Sequence, residues 1–140
     1  MVEWFFQRNR IQLAALGWAV VIFILSSIPG SSLPKVDIVN FDKLAHIGVY
    51  GCLGFLVFFA FRYQQRFPPL VRLTFLAAIL ACSLYGATDE VHQLWVPGRT
   101  CDIWDWTADT VGGLLGAGLA LLVNRRYPHT FAEPAAKKPE

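Results

Sequence analysis

Four long apolar stretches constrain the fold of this 140-residue chain more than any other feature. Each is 18 or 19 residues long, and an α-helix needs roughly 17–25 apolar residues to cross the hydrocarbon core of a bilayer. An open sheet would leave backbone amides unpaired in lipid, so helices are expected. With 55% hydrophobic and 16% charged residues, the sequence predicts an all-α integral membrane four-helix bundle. The predicted helices cover about residues 11–28, 44–61, 70–88 and 106–123.

The distribution of basic residues predicts the orientation of these helices. Nine Lys and Arg side chains fall at the N-terminus, in the second connection and after the last helix, which a four-helix topology puts on one side of the membrane. The other side receives only Lys35, Lys43 and Arg99. By the positive-inside rule, both termini are predicted to be cytoplasmic. Residues 1–126 then form one membrane domain, and residues 127–140 form a flexible cytoplasmic tail.

Glycines in the second and fourth apolar stretches indicate where these helices pack. The second contains Gly48, Gly51 and Gly54, and the fourth has Gly112 and Gly116 at a spacing of four. Small residues let membrane helices approach closely. We therefore expect both helices to pack through these faces.

The acidic and histidine side chains that enter the apolar stretches all do so from the extracytoplasmic side. Spacings of three or four residues put them on shared helix faces. The sets are Asp42, His46 and Tyr50 in the second helix, Asp89, Glu90, His92 and Gln93 in the third, and Asp102, Asp105 and Asp109 at the fourth. A charged side chain deep in a membrane costs about 2.5–3.5 kcal/mol on insertion scales and usually marks function. The sequence therefore predicts one polar site at this end.

Two kinds of role are predicted for these side chains. Carboxylates and a histidine in a medium of low dielectric constant suit general acid–base catalysis, and Arg99, the one guanidinium on this side, suits a phosphate or carboxylate. The predicted catalytic residues are Asp42, His46, Asp89, Glu90 and Asp109. The predicted substrate-binding residues are Lys43, Tyr50, His92, Gln93, Arg99, Asp102 and Asp105. For two of the predicted substrate-binding residues a structural role is the alternative. Asp102 could cap a helix, and His92 could be an exposed residue at the membrane interface.

Other classes of site find little support in the sequence. There is no H-E-x-x-H motif and no CxxC pair, so no metal ligand and no cofactor are predicted, although a histidine and carboxylates can hold a divalent ion. The sequence contains no G-x-S-x-G motif, which would have indicated a serine nucleophile. The net charge of +2 reflects membrane topology, and no binding of nucleic acid is predicted.

Two stretches resemble the VanZ-like family of small bacterial membrane proteins. They read FDKLAHIGVYGCLGF and YGATDEVHQLWVPGRTCDIWDWTADTVGGLLG. The family pattern runs D-K-x-x-H-x-x-x-Y, D-E-x-x-Q and P-G-R, followed by spaced acids before N-T-x-G. Asp109 departs from this pattern, because the family usually has Asn there. The residues that match are Asp42, Lys43, His46, Tyr50, Asp89, Glu90, Gln93, Arg99, Asp102 and Asp105.

The resemblance implies a role in the bacterial envelope, since the family is named after a protein linked to low-level teicoplanin resistance. It implies a multi-pass protein of the bacterial cytoplasmic (inner) membrane with its site facing the extracytoplasmic side. The expected partner is a membrane lipid head group, a lipid-linked cell-wall precursor or a glycopeptide, either bound or acted on by a hydrolase or transferase. Two alternatives stay open: a non-catalytic accessory or partner-binding protein, and an oligomeric proton-coupled transporter.

Overall fold

A computed structural model describes residues 9–32, 41–64 and 66–128 of the chain, and its regular structure there is entirely helical. In chain order the elements are α1 (Arg10–Ser26), a 3-10 turn (Gly30–Ser32), α2 (Phe41–Arg62), the short α3 (Pro68–Arg72), α4 (Thr74–Gln93) and α5 (Ile103–Arg126). The prediction of an all-α bundle of four long helices is confirmed. Lys35 and the predicted tail from residue 129 onward lie outside the described residues.

Three helices, α2, α4 and α5, are long and apolar enough to cross a membrane, with 22, 20 and 24 residues. The apolar α1 has 17 residues, so it extends about 25 Å and lies at the short end of the spanning range. Large apolar side chains cover the outside of these helices, including Leu80, Leu84, Leu119 and Leu122. The chain is a membrane protein with several spanning helices.

The region predicted as a single helix over 70–88 contains two. A break at Leu73 separates α3 from α4, and α4 then continues to Gln93. Asp89 and Glu90 therefore lie in the last turns of a helix rather than beyond its end. Their side chains are buried against neighbouring helices, so polarity there does not indicate a loop. The next helix-breaking residues, Pro97 and Gly98, come only after the helix has ended.

The centre of the bundle is the pair formed by α2 and α5, whose backbones touch at glycines. A methyl group on Gly116 would overlap the carbonyl of Gly51, and one on Gly54 would overlap the carbonyl of Gly113. The glycine faces therefore meet as predicted. α4 packs on α5 and on α2, and α1 packs mainly on α2.

The two ends of the bundle differ in polarity. One end has an apolar core of Phe58, Phe59, Ala78, Ala117 and Ala120. The first turn of α1 and the last turns of α5 pack against this core, so both ends of the described chain lie here. The opposite end holds the acidic side chains of the described residues. It is the end that the sequence predicts as the site.

Candidate functional site

Lys43, in the first turn of α2, joins three carboxylates at the rim of the site. Its Nζ donates to Oδ2 of Asp42 and to Oδ2 of Asp102, each 2.9 Å away, and also to Oδ1 of Asp105. The Asp42 side chain is 61% exposed, whereas that of Asp105 is only 14% exposed. One ammonium group thus ties the start of α2 to the start of α5.

Asp102 caps α5 and also contacts α4. Its Oδ1 accepts a hydrogen bond of 2.9 Å from the amide of Trp104, and its own amide donates to Oε2 of Glu90 at 2.7 Å. The Trp104 amide and the Lys43 ammonium hold the pKa of Asp102 below its usual range, because both stabilise the ionised carboxylate. The structural alternative for Asp102, a helix cap, is confirmed.

One turn further into the bundle, His46, Glu90 and Asp109 meet. Nδ1 of His46 lies 2.8 Å from Oδ1 of Asp109, and its Nε2 lies 3.9 Å from Oδ2 of Asp105. Oε1 of Glu90 accepts a long hydrogen bond of 3.4 Å from Nε2 of Gln93. One possible ligand atom each from His46, Glu90 and Asp109 lies within 4.8 Å of the other two. Three helices therefore each contribute one ionisable side chain to this inner cluster.

Asp109 is fully buried, and its carboxylate fits there because residue 86 is a glycine without a side chain. While Oδ1 contacts His46, Oδ2 has no hydrogen-bond partner among the described residues. This carboxylate lies against α4 at Gly86, where an added Cβ would come within 2.9 Å of Oδ2. The asparagine that the family usually has at this position could also accept the hydrogen bond from His46, through its amide oxygen.

A cavity of about 430 Å³ opens beside the inner cluster, between α1, α2 and α4. Its volume falls in the range of roughly 300–1,000 Å³ typical of small-molecule sites. α1 contributes mainly apolar side chains and α4 contributes polar ones. The apolar lining residues are Ile22, Leu25, Ile28, Phe41, Ala45 and Val49, and the polar ones are Ser26, Asp42, His46, Tyr50, Asp89, Gln93 and Arg99. A cavity lined in this way suits an amphipathic ligand.

Asp89 and Tyr50 line the cavity, and their side chains make no hydrogen bond with another residue in the described part of the chain. Asp89 is buried and makes no hydrogen bond or ion pair with another described residue. The hydroxyl of Tyr50 is also buried without a partner among those residues. Leaving the buried Tyr50 hydroxyl unpaired costs about 1–3 kcal/mol. A ligand that forms a hydrogen bond with this hydroxyl would remove that cost.

The sequence Pro97-Gly98-Arg99 places a guanidinium at the end of α1. Gly98 has a φ of +73°, which glycine adopts without strain, and the amide of Gly30 donates to the carbonyl of Pro97 at 3.0 Å. Nε and Nη2 of Arg99 lie 3.3 and 3.4 Å from two carbonyl oxygens at the end of α1. Because a guanidinium carries five N–H groups, donors remain for a ligand in the cavity.

All twelve predicted site residues lie at one end of the bundle, and eleven of them line the cavity or take part in the contacts of Lys43 and the inner cluster. His92 instead faces α1, with Nε2 3.0 Å from Oγ of Ser27 and its ring tilted against that of Phe23 at a centroid distance of 4.6 Å. The catalytic or binding role of each residue stays a prediction. The sequence reasoning missed the cavity wall from α1, where Ser26 is one of only three polar residues in the stretch 11–28, with Gln12 and Ser27.

Comparison with known proteins identifies the family. The family model for VanZ/LLP1 matches residues 4–124, which include every residue of the site. The chain belongs to the VanZ/LLP1 family. The predicted family resemblance is thereby confirmed. The contacts of Lys43 with three carboxylates, the inner cluster and the cavity are therefore features of a VanZ family protein.

One similar protein is the "Uncharacterized protein C11E3.10" of Schizosaccharomyces pombe. It is 31% identical to this chain over 118 residues, which cover 84% of this VanZ family protein. The chain spans 66% of the length of that relative, just under two thirds. No solved structure matches.

Proposed function

We propose that this VanZ family protein binds the head group of a membrane lipid or lipid-linked envelope component in its cavity and acts on it as a hydrolase or transferase. The observation that carries the proposal is the lining of the cavity. Apolar side chains such as Ile22 and Leu25 suit the start of a lipid chain, and Asp89, His46 and Arg99 suit a polar head group. The cavity opens at the end of the bundle, the depth at which head groups lie.

The polar lining supplies the groups that such a reaction needs. Asp89 and His46 can each accept a proton, and a positioned base contributes about 10²–10⁴-fold to a rate. His46 is held by Asp109, whereas Asp89 makes no hydrogen bond or ion pair with another residue in the described part of the chain. Arg99 supplies positive charge for phosphate or carboxylate oxygens. In the proposed reaction the oxygen of an attacking water or hydroxyl group bonds to the phosphorus of the head group while Asp89 takes its proton. Arg99 binds the anionic head group. The P–O bond to the leaving alcohol breaks, and solvent protonates the leaving oxygen.

The location of the site is part of the proposal. The bias of Lys and Arg supports an extracytoplasmic site in a bacterial cytoplasmic membrane. A role in teicoplanin resistance would require the ligand to be a lipid-linked cell-wall precursor or the glycopeptide itself.

Proton-coupled transport through one chain fits the structure less well. Within the described part of the chain, the buried charged side chains are Asp89, Glu90 and Asp109, all at the site. The other half of the bundle is packed with apolar side chains, among them Phe58 and Phe59. This packing favours a site open to one side. Binding without catalysis remains the alternative.

We expect Asp89→Asn to lower turnover by about 10²–10⁴-fold while lipid binding persists. Asparagine keeps the shape of the side chain but cannot take the proton, and Asp89→Glu, which keeps a carboxylate, should retain more activity than Asp89→Asn. Release of phosphate and head group would be measured in nanodiscs containing phosphatidylethanolamine, phosphatidylglycerol or a polyprenyl diphosphate in turn. Full activity of Asp89→Asn would contradict the catalytic role. Lipid binding by the wild type without any turnover would support the non-catalytic alternative.

A further inference from the structure

We infer that His46, Glu90 and Asp109 hold a divalent cation beside the cavity. An imidazole nitrogen and two carboxylates are ligands that Zn²⁺ and Mn²⁺ accept. Their ligand atoms lie within 4.8 Å of one another, and ligands sit about 2.0–2.2 Å from a zinc ion. Small rotations of the side chains therefore bring all three onto one ion. The inference adds a bound ion to the proposed site. Binding of the ion does not depend on the proposed function, whereas a role of the ion in the reaction rests on it.

The hydroxyl of Tyr50 is a second observation that points to a missing ligand here. Tyr50 is 1% exposed, and its hydroxyl has no hydrogen-bond partner among the described residues. Tyr50 and the cluster residue His46 line the same cavity. Tyr50 is not one of the three cation ligands. Oδ2 of the fully buried Asp109, which is one of the three, also has no hydrogen-bond partner among the described residues, so it is available to an ion.

The charges of the site also favour a cation. Six carboxylates stand at this end against Lys43 and Arg99; they are Asp42, Asp89, Glu90, Asp102, Asp105 and Asp109. Lys43 pairs with three of them at the rim, whereas among the described residues the ion pair of the buried acids is the one between Asp109 and His46. Like charges held close together repel one another more strongly in a protein interior than in water, because the effective dielectric constant is lower there. A divalent ion offsets this repulsion and lets an anionic phosphate approach.

Three protein ligands leave a coordination position open. Catalytic zinc sites use this arrangement, with water or substrate in the remaining position. His46 belongs to the inner cluster and also lines the cavity, so an ion there is adjacent to a head group. The ion would make His46 a ligand and leave Asp89 as the proton acceptor of the proposed reaction.

The test is the metal content of the purified protein in detergent, after incubation with Zn²⁺ or Mn²⁺ and gel filtration. We expect about one ion per chain for the wild type and none for His46→Ala or for the nearly isosteric Glu90→Gln. The matched control is His92→Ala, which removes the histidine outside the cluster and should keep the ion. Thermal unfolding of Glu90→Gln shows whether that variant is folded.

A wild-type protein that takes up neither ion, or variants that retain it, would overturn the inference. The measurement does not depend on turnover. An ion without lipid turnover would support the inference while removing the catalytic part of the proposed function. Lipid turnover in a protein that binds no ion would keep the proposed function and overturn the inference.

Discussion

Gly116→Ala is expected to destabilise the bundle strongly, because its added methyl group would overlap the backbone of α2. The nearest atoms are the carbonyl of Gly51 and the amide nitrogen of Phe55. Backbone atoms cannot rotate aside as a side chain can, so the two helices must separate. Overpacking a close contact costs about 1–3 kcal/mol, occasionally more, and a backbone clash belongs at the upper end. Thermal unfolding in detergent, followed by tryptophan fluorescence, measures the loss.

Gly118→Ala is the matched control for this prediction. It adds the same methyl group to the same helix two residues later, where nothing lies within 4 Å of the added atom. Alanine favours a helix by about 1 kcal/mol relative to glycine, so this variant should be as stable as the wild type or more so. Equal melting temperatures for Gly116→Ala and Gly118→Ala would show that the α2–α5 contact is not as close as described.

His46→Ala is expected to lower the free energy of unfolding by about 3–5 kcal/mol, because it leaves a buried carboxylate without its partner. Asp109 is fully buried, and the atom 2.8 Å from its Oδ1 is Nδ1 of His46. Asp109→Asn should stay near wild-type stability, since the amide oxygen can still accept from His46 and no charge is buried. The double variant should be more stable than His46→Ala alone.

A double-mutant cycle on these variants measures the coupling of the two side chains. We expect their effects to be non-additive by at least about 1 kcal/mol, as is usual for residues in contact. His46→Ala combined with Gly118→Ala provides the comparison, because those residues share no contact and their effects should add. Additive effects for His46 and Asp109 would mean that the interaction between these two side chains contributes nothing to the stability of the fold.

The fold was predictable from the sequence because a membrane permits few alternatives. Apolar stretches of spanning length must be helices, and glycines such as Gly51 and Gly116 mark where two of them touch. The true length of α4 was not predictable from the same pattern. Residues 89–93 are polar and lie past the end of the apolar stretch, but Asp89, Glu90 and Gln93 are buried by packing that only the tertiary structure reveals.

The members of the candidate site were largely predictable, whereas their contacts were not. Depth in the membrane and spacing along helices indicated that residues such as Asp42 and Asp109 belong together. Neither signal shows that Lys43 bridges carboxylates on two elements, or that Gly86 makes room for Asp109. These contacts depend on how α2, α4 and α5 pack. The apolar wall from α1 is also a property of packing, because every face of that helix is apolar in sequence.

The central claim, that the cavity holds a membrane lipid, is tested most directly by native mass spectrometry of protein released from the membrane in which it was made. Ala45 lines the cavity, so Ala45→Phe fills it without changing any charge. Leu80→Phe adds a phenyl ring on the outer surface, where Leu80 is 59% exposed, and serves as the control. We predict a lipid-sized adduct on the wild type and on Leu80→Phe that is absent from Ala45→Phe. The same adduct on all three proteins, or an adduct on none, would contradict the account.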